Sequence, residues 1–153
     1  MKTLLTAIVA ACSVSFGQPI VPSDREGLLN GEGMGLATFA EMNGYPGPKH
    51  VLELKDQLGL TQDQVLKTEG IMKGVQVSAK QTGQEIVELE EELNKLFETG
   101  KITEKTLRAR LDNIGKLRGQ LRFIHMQAHV KMKGVLSDNQ IQKYVELRGH
   151  AGH

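Results

Sequence analysis

The chain has 153 residues, of which 39% are hydrophobic and 4% aromatic, and its formal net charge is +1. The near-zero charge excludes the strong positive field that gathers nucleic acid, and the length favours one modest domain. The absence of Trp and the abundance of Leu, Lys, Glu and Gln favour helices over a β-sandwich core. We therefore expect an all-α protein.

Residues 1–17 have the pattern of a secretory signal peptide. Lys2 supplies a positive start, residues 4–14 form an apolar run, and a small-x-small cleavage site precedes Gln18. Cys12, the only cysteine, ends a Val-Ala-Ala-Cys sequence that resembles a lipobox, so lipid attachment there is the alternative to a discarded signal. No later stretch has the roughly 18 apolar residues that a membrane span requires. We expect export, with no transmembrane segment in the mature chain.

Residues 18–47 are rich in Gly and Pro, which prevents a long helix and is typical of flexible or irregular chain. Apolar residues such as Leu28 and Phe39 would let part of this segment dock on the rest of the protein. Pro48 suits the first turn of a short helix that ends at Gly59. The expected domain spans residues 48–149, and residues 150–153 form a tail.

Two long helices are predicted after this short one. Residues 61–99 contain no proline, and their apolar or small residues recur at steps of three and four, as they do in residues 102–135. The short connection at Gly100 makes the two helices antiparallel. Residues 137–148 predict a last short helix. The expected fold is a long antiparallel helical hairpin with two short flanking helices.

The same pattern stands at the start of two of these helices, as Leu60-Thr61-x-x-Gln64 and as Leu136-Ser137-x-x-Gln140. In each copy the hydroxyl can accept from the backbone N–H three residues on, and the glutamine can reach back to the cap N–H. The leucine before each cap can pack on the first turn as a hydrophobic staple. We interpret both copies as structural capping motifs.

Two slender helices cannot bury their apolar stripes alone, so we expect the short helices to cover some of this surface and a second copy of the chain to cover more. The expected assembly is a homodimer. The spacings Gly70-x-x-x-Gly74 and Gly115-x-x-x-Gly119 indicate close helix–helix approach, because these helices are too polar to span a membrane.

Charges are distributed unevenly along the hairpin. Residues 85–98 hold six glutamates and one lysine, opposite the basic residues of 105–116, as expected for the rims of a coiled-coil seam. The other half carries a basic and apolar band that suits unfolded or acidic chain segments, and a solvated surface is an equal alternative. The band consists of Lys73, Val77, Lys80, Arg122, Phe123 and Lys131.

His125 and His129 lie four residues apart, so both rings project from one face of their helix. Such a pair can hold Zn²⁺, Cu²⁺ or Ni²⁺ if a third ligand arrives, and His50 is the expected third. No adjacent Glu completes an H-E-x-x-H motif, so helix-edge histidines without metal are the alternative. Met126 and Met132 face different ways and indicate packing rather than a copper site.

The repeated capping motif resembles the Leu-Thr-x-x-Gln signature of the periplasmic Spy/CpxP-like family, which is related to zinc-resistance-associated and heavy-metal-sensor proteins. The matching residues are 60–64 and 136–140, with Ser in place of Thr in the second copy, and the similarity covers about residues 46–148. The resemblance implies a four-helix protein that dimerises into a thin curved cradle in the periplasm. It also implies action without ATP. Our own hypothesis for the client-binding surface is the basic and apolar band.

Three functional hypotheses arise. The first is a periplasmic chaperone or stress-protective protein that needs no cofactor and shields unfolded envelope proteins. The second is a heavy-metal sensor or resistance protein that binds Zn, Cu or Ni through His50, His125 and His129. The third is an adaptor for a membrane sensor kinase. The sequence has no P-loop, no Gly-x-Ser-x-Gly and no plausible nucleophile–base pair, so an enzyme is not expected.

Overall fold

A computed structural model describes residues 24–149, and the expected signal peptide, Cys12 and the tail lie outside these residues. The described part of the chain is all-α, with seven helices and no strand. The helices are α1 Arg25–Asn30, α2 Thr38–Met42, α3 Pro48–Glu53, α4 Lys55–Leu58, α5 Gln62–Glu98, α6 Glu104–Val135 and α7 Asp138–Gly149. None of them is long and apolar enough to cross a membrane.

The two long helices α5 and α6 pack along each other, which confirms the predicted helical hairpin. The turn between them contains Gly100 at a φ of 65°, a left-handed conformation that glycine adopts without strain. Thr103 then caps α6 by accepting from the N–H of Thr106 at 3.2 Å. Ion pairs between arginines of α6 and glutamates of α5 join the rims of the hairpin, among them Arg118 with Glu90 at 3.0 Å.

The two Leu-Thr/Ser-x-x-Gln motifs meet in space. Gln64 and Thr61 form a capping box, and Gln140 and Ser137 form another. The two glutamine side chains also donate to each other, with N–O distances of 2.8 and 3.0 Å, and Gln64 donates to the carbonyl of Val135 at 2.9 Å. The repeated motif therefore ties the start of α5 to the start of α7.

The short helices form two clusters against the hairpin. Around the Gln64–Gln140 pair, α3, α4 and α7 pack on the end of α6 in one cluster, whose buried residues are Val51, Leu58, Met132, Leu136 and Tyr144. The expected short helix before Gly59 is two helices, α3 and α4, with Leu54 between them. Gly59 ends α4 at a φ of 62°.

Residues 24–47, called the N-terminal arm here, contain two short helices where we expected irregular chain. Gly31, at a φ of 68°, ends α1 after six residues. Leu28 is nonetheless only 1% exposed, because it inserts between the long helices and forms the second cluster with Ala79, Ile86, Val87 and Leu121. The arm thus supplies a third layer over the middle of the hairpin.

The glycines at 70, 74, 115 and 119, expected to mark close helix–helix approach, do not do so within this chain. A Cβ added at any of them would meet no atom within 4 Å. The glycine that permits close approach is Gly83 instead, where a Cβ would lie 2.1 Å from the carbonyl oxygen of Leu28.

The contacts of the glutamine pair predict how substitutions there change the free energy of unfolding. Gln64→Ala or Gln140→Ala should each lower the free energy of unfolding by about 1–2 kcal/mol, since each removes a cap contact and leaves the other amide without its partner. The double variant should lose less than the sum of the singles by about 1 kcal/mol. Urea unfolding measures all three. Gln142→Ala, at an exposed position of α7, is the control and should change stability by less than about 0.5 kcal/mol. Strict additivity would show that the two glutamines are not coupled.

Candidate binding surface and histidine cavity

The six residues of the predicted basic and apolar band do not share one surface. Arg122 and Lys131 are nine residues apart on α6 and so lie about half a turn out of phase. Arg122 faces the N-terminal arm, with its guanidinium carbon 5.7 Å from the ring centre of Phe39. Lys131 instead lines a groove of about 400 Å³ together with Lys67 of α5.

The other members of the band are divided in the same way. Lys80 packs beside the arm, because its backbone nitrogen lies 3.1 Å from the position that a Cβ on Gly31 would take. Lys73 is exposed on α5. Val77 on α5 and Phe123 on α6 are each 60% exposed. The structure therefore places Arg122 and Lys131 on opposite sides of α6, with Phe123 between them.

Four large apolar side chains are exposed on the neighbouring helices α2 and α6, and we call these four residues together with Arg122 the α2–α6 surface. Its apolar members are Phe39 and Met42 of α2, which are 63% and 74% exposed, and Phe123 and Val130 of α6, which are 60% and 61% exposed. Phe123 and Val130 are seven residues apart and therefore share one face of α6. Large apolar side chains at such exposure on neighbouring elements are typical of a protein–protein contact surface.

Two cations border this surface and attach it to the arm. The guanidinium of Arg122 lies over Phe39, and the Nζ of Lys133 lies 4.4 Å from the ring centre of Tyr45. Cation–π contacts of this kind contribute about 0.5–1 kcal/mol each at exposed sites. The α2–α6 surface thus presents apolar groups beside fixed positive charge, which suits apolar segments that also carry acidic residues.

Only part of this surface could be found in the sequence. Arg122 and Phe123 were predicted, and the heptad spacing from Phe123 to Val130 is visible in the printed chain. Phe39 and Met42 were missed as members because they lie in the segment expected to be irregular. Their position depends on the packing of α2 on α6, which is a contact between distant parts of the chain.

The three predicted metal ligands His50, His125 and His129 line one cavity of about 800 Å³ between the arm and the hairpin. His129 and His125 come from one face of α6, and His50 comes from α3, which packs on both long helices. Glu41 of α2 and Arg148 of α7 also line this cavity. The folding of the short helices therefore brings together histidines that are 75 or more residues apart in sequence, counted from His50 to His125.

Hydrogen bonds already engage two of the three rings. The Nδ1 of His129 lies 2.9 Å from the carbonyl oxygen of Tyr45, and the Nδ1 of His50 lies 2.9 Å from Glu53 Oε2. The Nε2 of His125 is buried and has no hydrogen-bond partner among the described residues. Burial lowers the pKa of His125, and the nearby His129 lowers this pKa further. No group of three or more His, Cys, Asp or Glu side chains within residues 24–149 is placed to hold a metal ion.

Tyr144, which the sequence did not single out as a site residue, binds Glu41 at the wall of the cavity. The hydroxyl of Tyr144 donates to Glu41 Oε2 at 2.8 Å and accepts from the backbone N–H of Gly47 at 3.4 Å. Burial and the neighbouring carboxylate raise the pKa of Tyr144. A Cβ at Gly47 would lie 2.7 Å from Glu41 and 2.8 Å from His129, so glycine is needed there. These contacts fasten the arm to α6 and α7.

We compared the chain with models of known protein families, with curated proteins and with solved structures, and no significant match was found.

The lowered pKa of His125 predicts how the free energy of unfolding depends on pH. Because its pKa in the folded state lies below the usual value of 6.5, the unfolded chain binds more protons as the pH falls through that value. The free energy of unfolding should therefore decrease on acidification below about pH 6.5, and His125→Gln should reduce this decrease. Urea unfolding of both proteins between about pH 7.5 and 5.5 measures the difference. Equal pH dependence in the two proteins would contradict the assignment.

Proposed function

We propose that this protein is an ATP-independent chaperone that shields unfolded or aggregation-prone proteins of the cell envelope. The observation that carries the proposal is the α2–α6 surface, where Phe39, Met42, Phe123 and Val130 are all at least 60% exposed beside Arg122. Large apolar side chains gain free energy when they are buried away from water. Here the large apolar groups are displayed, which suits reversible capture of exposed apolar segments.

The positive charge at the edge of the surface indicates which client segments would bind there. Arg122 and Lys133 each lie against an aromatic ring of the arm, so their positive charges are held near the apolar groups. A segment with apolar and acidic residues would satisfy both features, and a strongly basic segment would not. Met42 adds an adaptable contact, because unbranched thioether side chains repack around varied partners.

The family and the location belong to the same proposal. The paired Leu-Thr/Ser-x-x-Gln motifs support kinship with the Spy/CpxP-like proteins, because both glutamines serve one joint in the fold. The expected signal at residues 1–17 supports action in the periplasm, and the exposed apolar surface of the hairpin supports a homodimer. Docking on a membrane sensor kinase is a further role that the same exposed surface would serve.

The chaperone proposal predicts which substitutions reduce activity. Phe123→Ser/Val130→Ser should weaken client binding by about fivefold or more, because apolar anchors of a contact contribute 1 kcal/mol or more each. The melting temperature should hardly change, since both residues are more than half exposed. The measurement is suppression of light scattering from a denatured model protein. Leu66→Ser is the matched control, because Leu66 is 58% exposed near the start of α5, outside this surface.

Two charge-reversal variants distinguish client binding at the α2–α6 surface from client binding at the band predicted by the sequence. Arg122→Glu should reduce suppression of aggregation more than Lys131→Glu, because Arg122 lies over Phe39 of the surface, whereas Lys131 lines a groove with Lys67 on the opposite side of α6 from Arg122. Equal loss of aggregation suppression in both variants would favour the basic and apolar band predicted from the sequence. Full activity in Arg122→Glu and in the Phe123/Val130 variant would exclude the α2–α6 surface as the client site.

Binding of Zn, Cu or Ni is a second candidate function, favoured by the histidines that share one cavity and by the unpartnered Nε2 of His125. A ligand that binds only the folded state raises its stability, by about 2.7 kcal/mol at a hundredfold excess over the Kd. A metal-induced rise in the melting temperature that disappears in His125→Ala/His129→Ala would establish the site. An unchanged melting temperature with all three ions would exclude it.

A further inference from the structure

The α2–α6 surface contains one residue whose polarity can be changed by a chemical reaction. Its other apolar members are two phenylalanines and a valine, whose rings and branched carbons do not react with peroxides under mild conditions. Met42 carries a thioether, which two-electron oxidants convert to a polar and chiral sulfoxide. Reaction at this one side chain places a strong hydrogen-bond acceptor among the apolar groups of the surface.

Contacts on the opposite side of α2 hold Met42 toward solvent. Glu41 faces the interior, where its carboxylate accepts from the hydroxyl of Tyr144 at 2.8 Å. Phe39 and Met42 are three residues apart, so they share the outer face of α2, where they are 63% and 74% exposed. The side-chain amide of Asn43 donates to the carbonyl oxygen of Phe39 at 2.7 Å and closes the last turn. The exposure of Met42 is therefore set by the packing of the whole helix.

The other methionines within residues 24–149 are better protected from dissolved oxidants. Met132 is 0% exposed in the core cluster at one end of the hairpin. Met34 of the arm is 38% exposed, and its sulfur packs on α1, 2.5 Å from the position that a Cβ on Gly27 would take. Met42 is thus the most accessible thioether in the described part of the chain. The two remaining methionines are half-buried and are Met72 and Met126.

The reaction with a peroxide is a balanced two-electron step. The sulfur lone pair attacks one peroxide oxygen, and the S–O bond forms as the O–O bond breaks. The departing hydroxide takes the proton of the new S–OH group and leaves as water. The sulfur has then lost two electrons and the peroxide has gained them. Methionine sulfoxide reductases reverse the change, with a separate enzyme for each sulfoxide epimer.

We propose that Met42 is an oxidation site that regulates the α2–α6 surface, with hydrogen peroxide or an organic peroxide as the oxidant. The sulfoxide makes the surface more polar and weakens client binding, and its reduction restores binding. This inference rests on the proposed chaperone function, because it assigns a form of regulation to the same surface.

The first measurement locates the oxidation. The protein is treated with graded amounts of hydrogen peroxide, and mass spectrometry of its peptides measures the gain of one oxygen at each methionine. Met42 should react at least about tenfold faster than Met132, since susceptibility follows exposure. The melting temperature should hardly change while Met42 is oxidised, because this side chain is 74% exposed. Equal rates at the two positions would refute the assignment.

The second measurement is suppression of light scattering from a denatured model protein, made after the peroxide has been removed. Equal suppression should require at least about three times as much oxidised protein as untreated protein. Met42→Leu, compared with its own untreated sample, should lose no activity on oxidation. Met34→Leu is the matched control, because it removes the other exposed thioether of the arm and should remain as sensitive as the unchanged protein. Reduction by the two sulfoxide reductases should restore suppression.

Two outcomes of the second measurement would overturn the inference. An equal loss in Met42→Leu would show that oxidation acts at another residue, and full suppression after complete oxidation of Met42 would show that the sulfoxide does not affect clients. Failure of the proposed function is measured separately, in untreated protein. Full activity of the untreated Phe123→Ser/Val130→Ser variant would exclude the surface as the client site, and the regulation with it, whatever the rate of oxidation at Met42.

Discussion

Two helices packed side by side touch along a single line and enclose no interior, and this constraint governs the rest of the structure. Apolar residues beside the seam can leave water only if a third layer covers them. The chain builds that layer from short pieces: Leu28 of the arm over the middle of the hairpin, and Val51, Leu58 and Tyr144 over one end. Toward the turn, Phe97 and Leu111 are about half exposed, at 54% and 49%. A second copy of the chain is the proposed cover for that end.

Two kinds of contact position the third layer. At one end of the hairpin, the reciprocal amide pair of Gln64 and Gln140 joins the starts of α5 and α7, which gives the repeated motif a role beyond capping. Where the arm crosses the hairpin, Gly83 of α5 admits the main chain of Leu28, and Gly47 of the arm leaves room for the side chains of Glu41 and His129. The hydrogen bonds between the two glutamines hold α7 in place, and the two glycines determine where the arm crosses the hairpin.

The sequence predicts the parts of this fold that depend on local chemistry. Helix starts at Thr61 and Ser137 follow from side chains that bond three residues away, and the long seam follows from a repeat within each helix. The arm helices could not be predicted in this way, because the burial of Leu28 depends on Gly83, which is 55 residues distant. The members of the predicted basic and apolar band lie on different surfaces for a related reason. It was chosen by position along the hairpin, whereas exposure depends on phase around α6, which places Arg122 and Lys131 on opposite sides.

The distribution of packing quality also bears on function. At one end of the hairpin Tyr144 is buried and hydrogen-bonded to Glu41, whereas residues 30–35 of the arm line an open cleft of about 800 Å³. Local stability in proteins follows such differences, so we expect the segment between α1 and α2 to belong to the less stable part and the capped hairpin to the more stable part. A chaperone that works without ATP must bind and release its clients by thermal exchange alone. In the proposed chaperone, the capped hairpin is the fixed scaffold that presents the exposed apolar groups of the α2–α6 surface for such exchange.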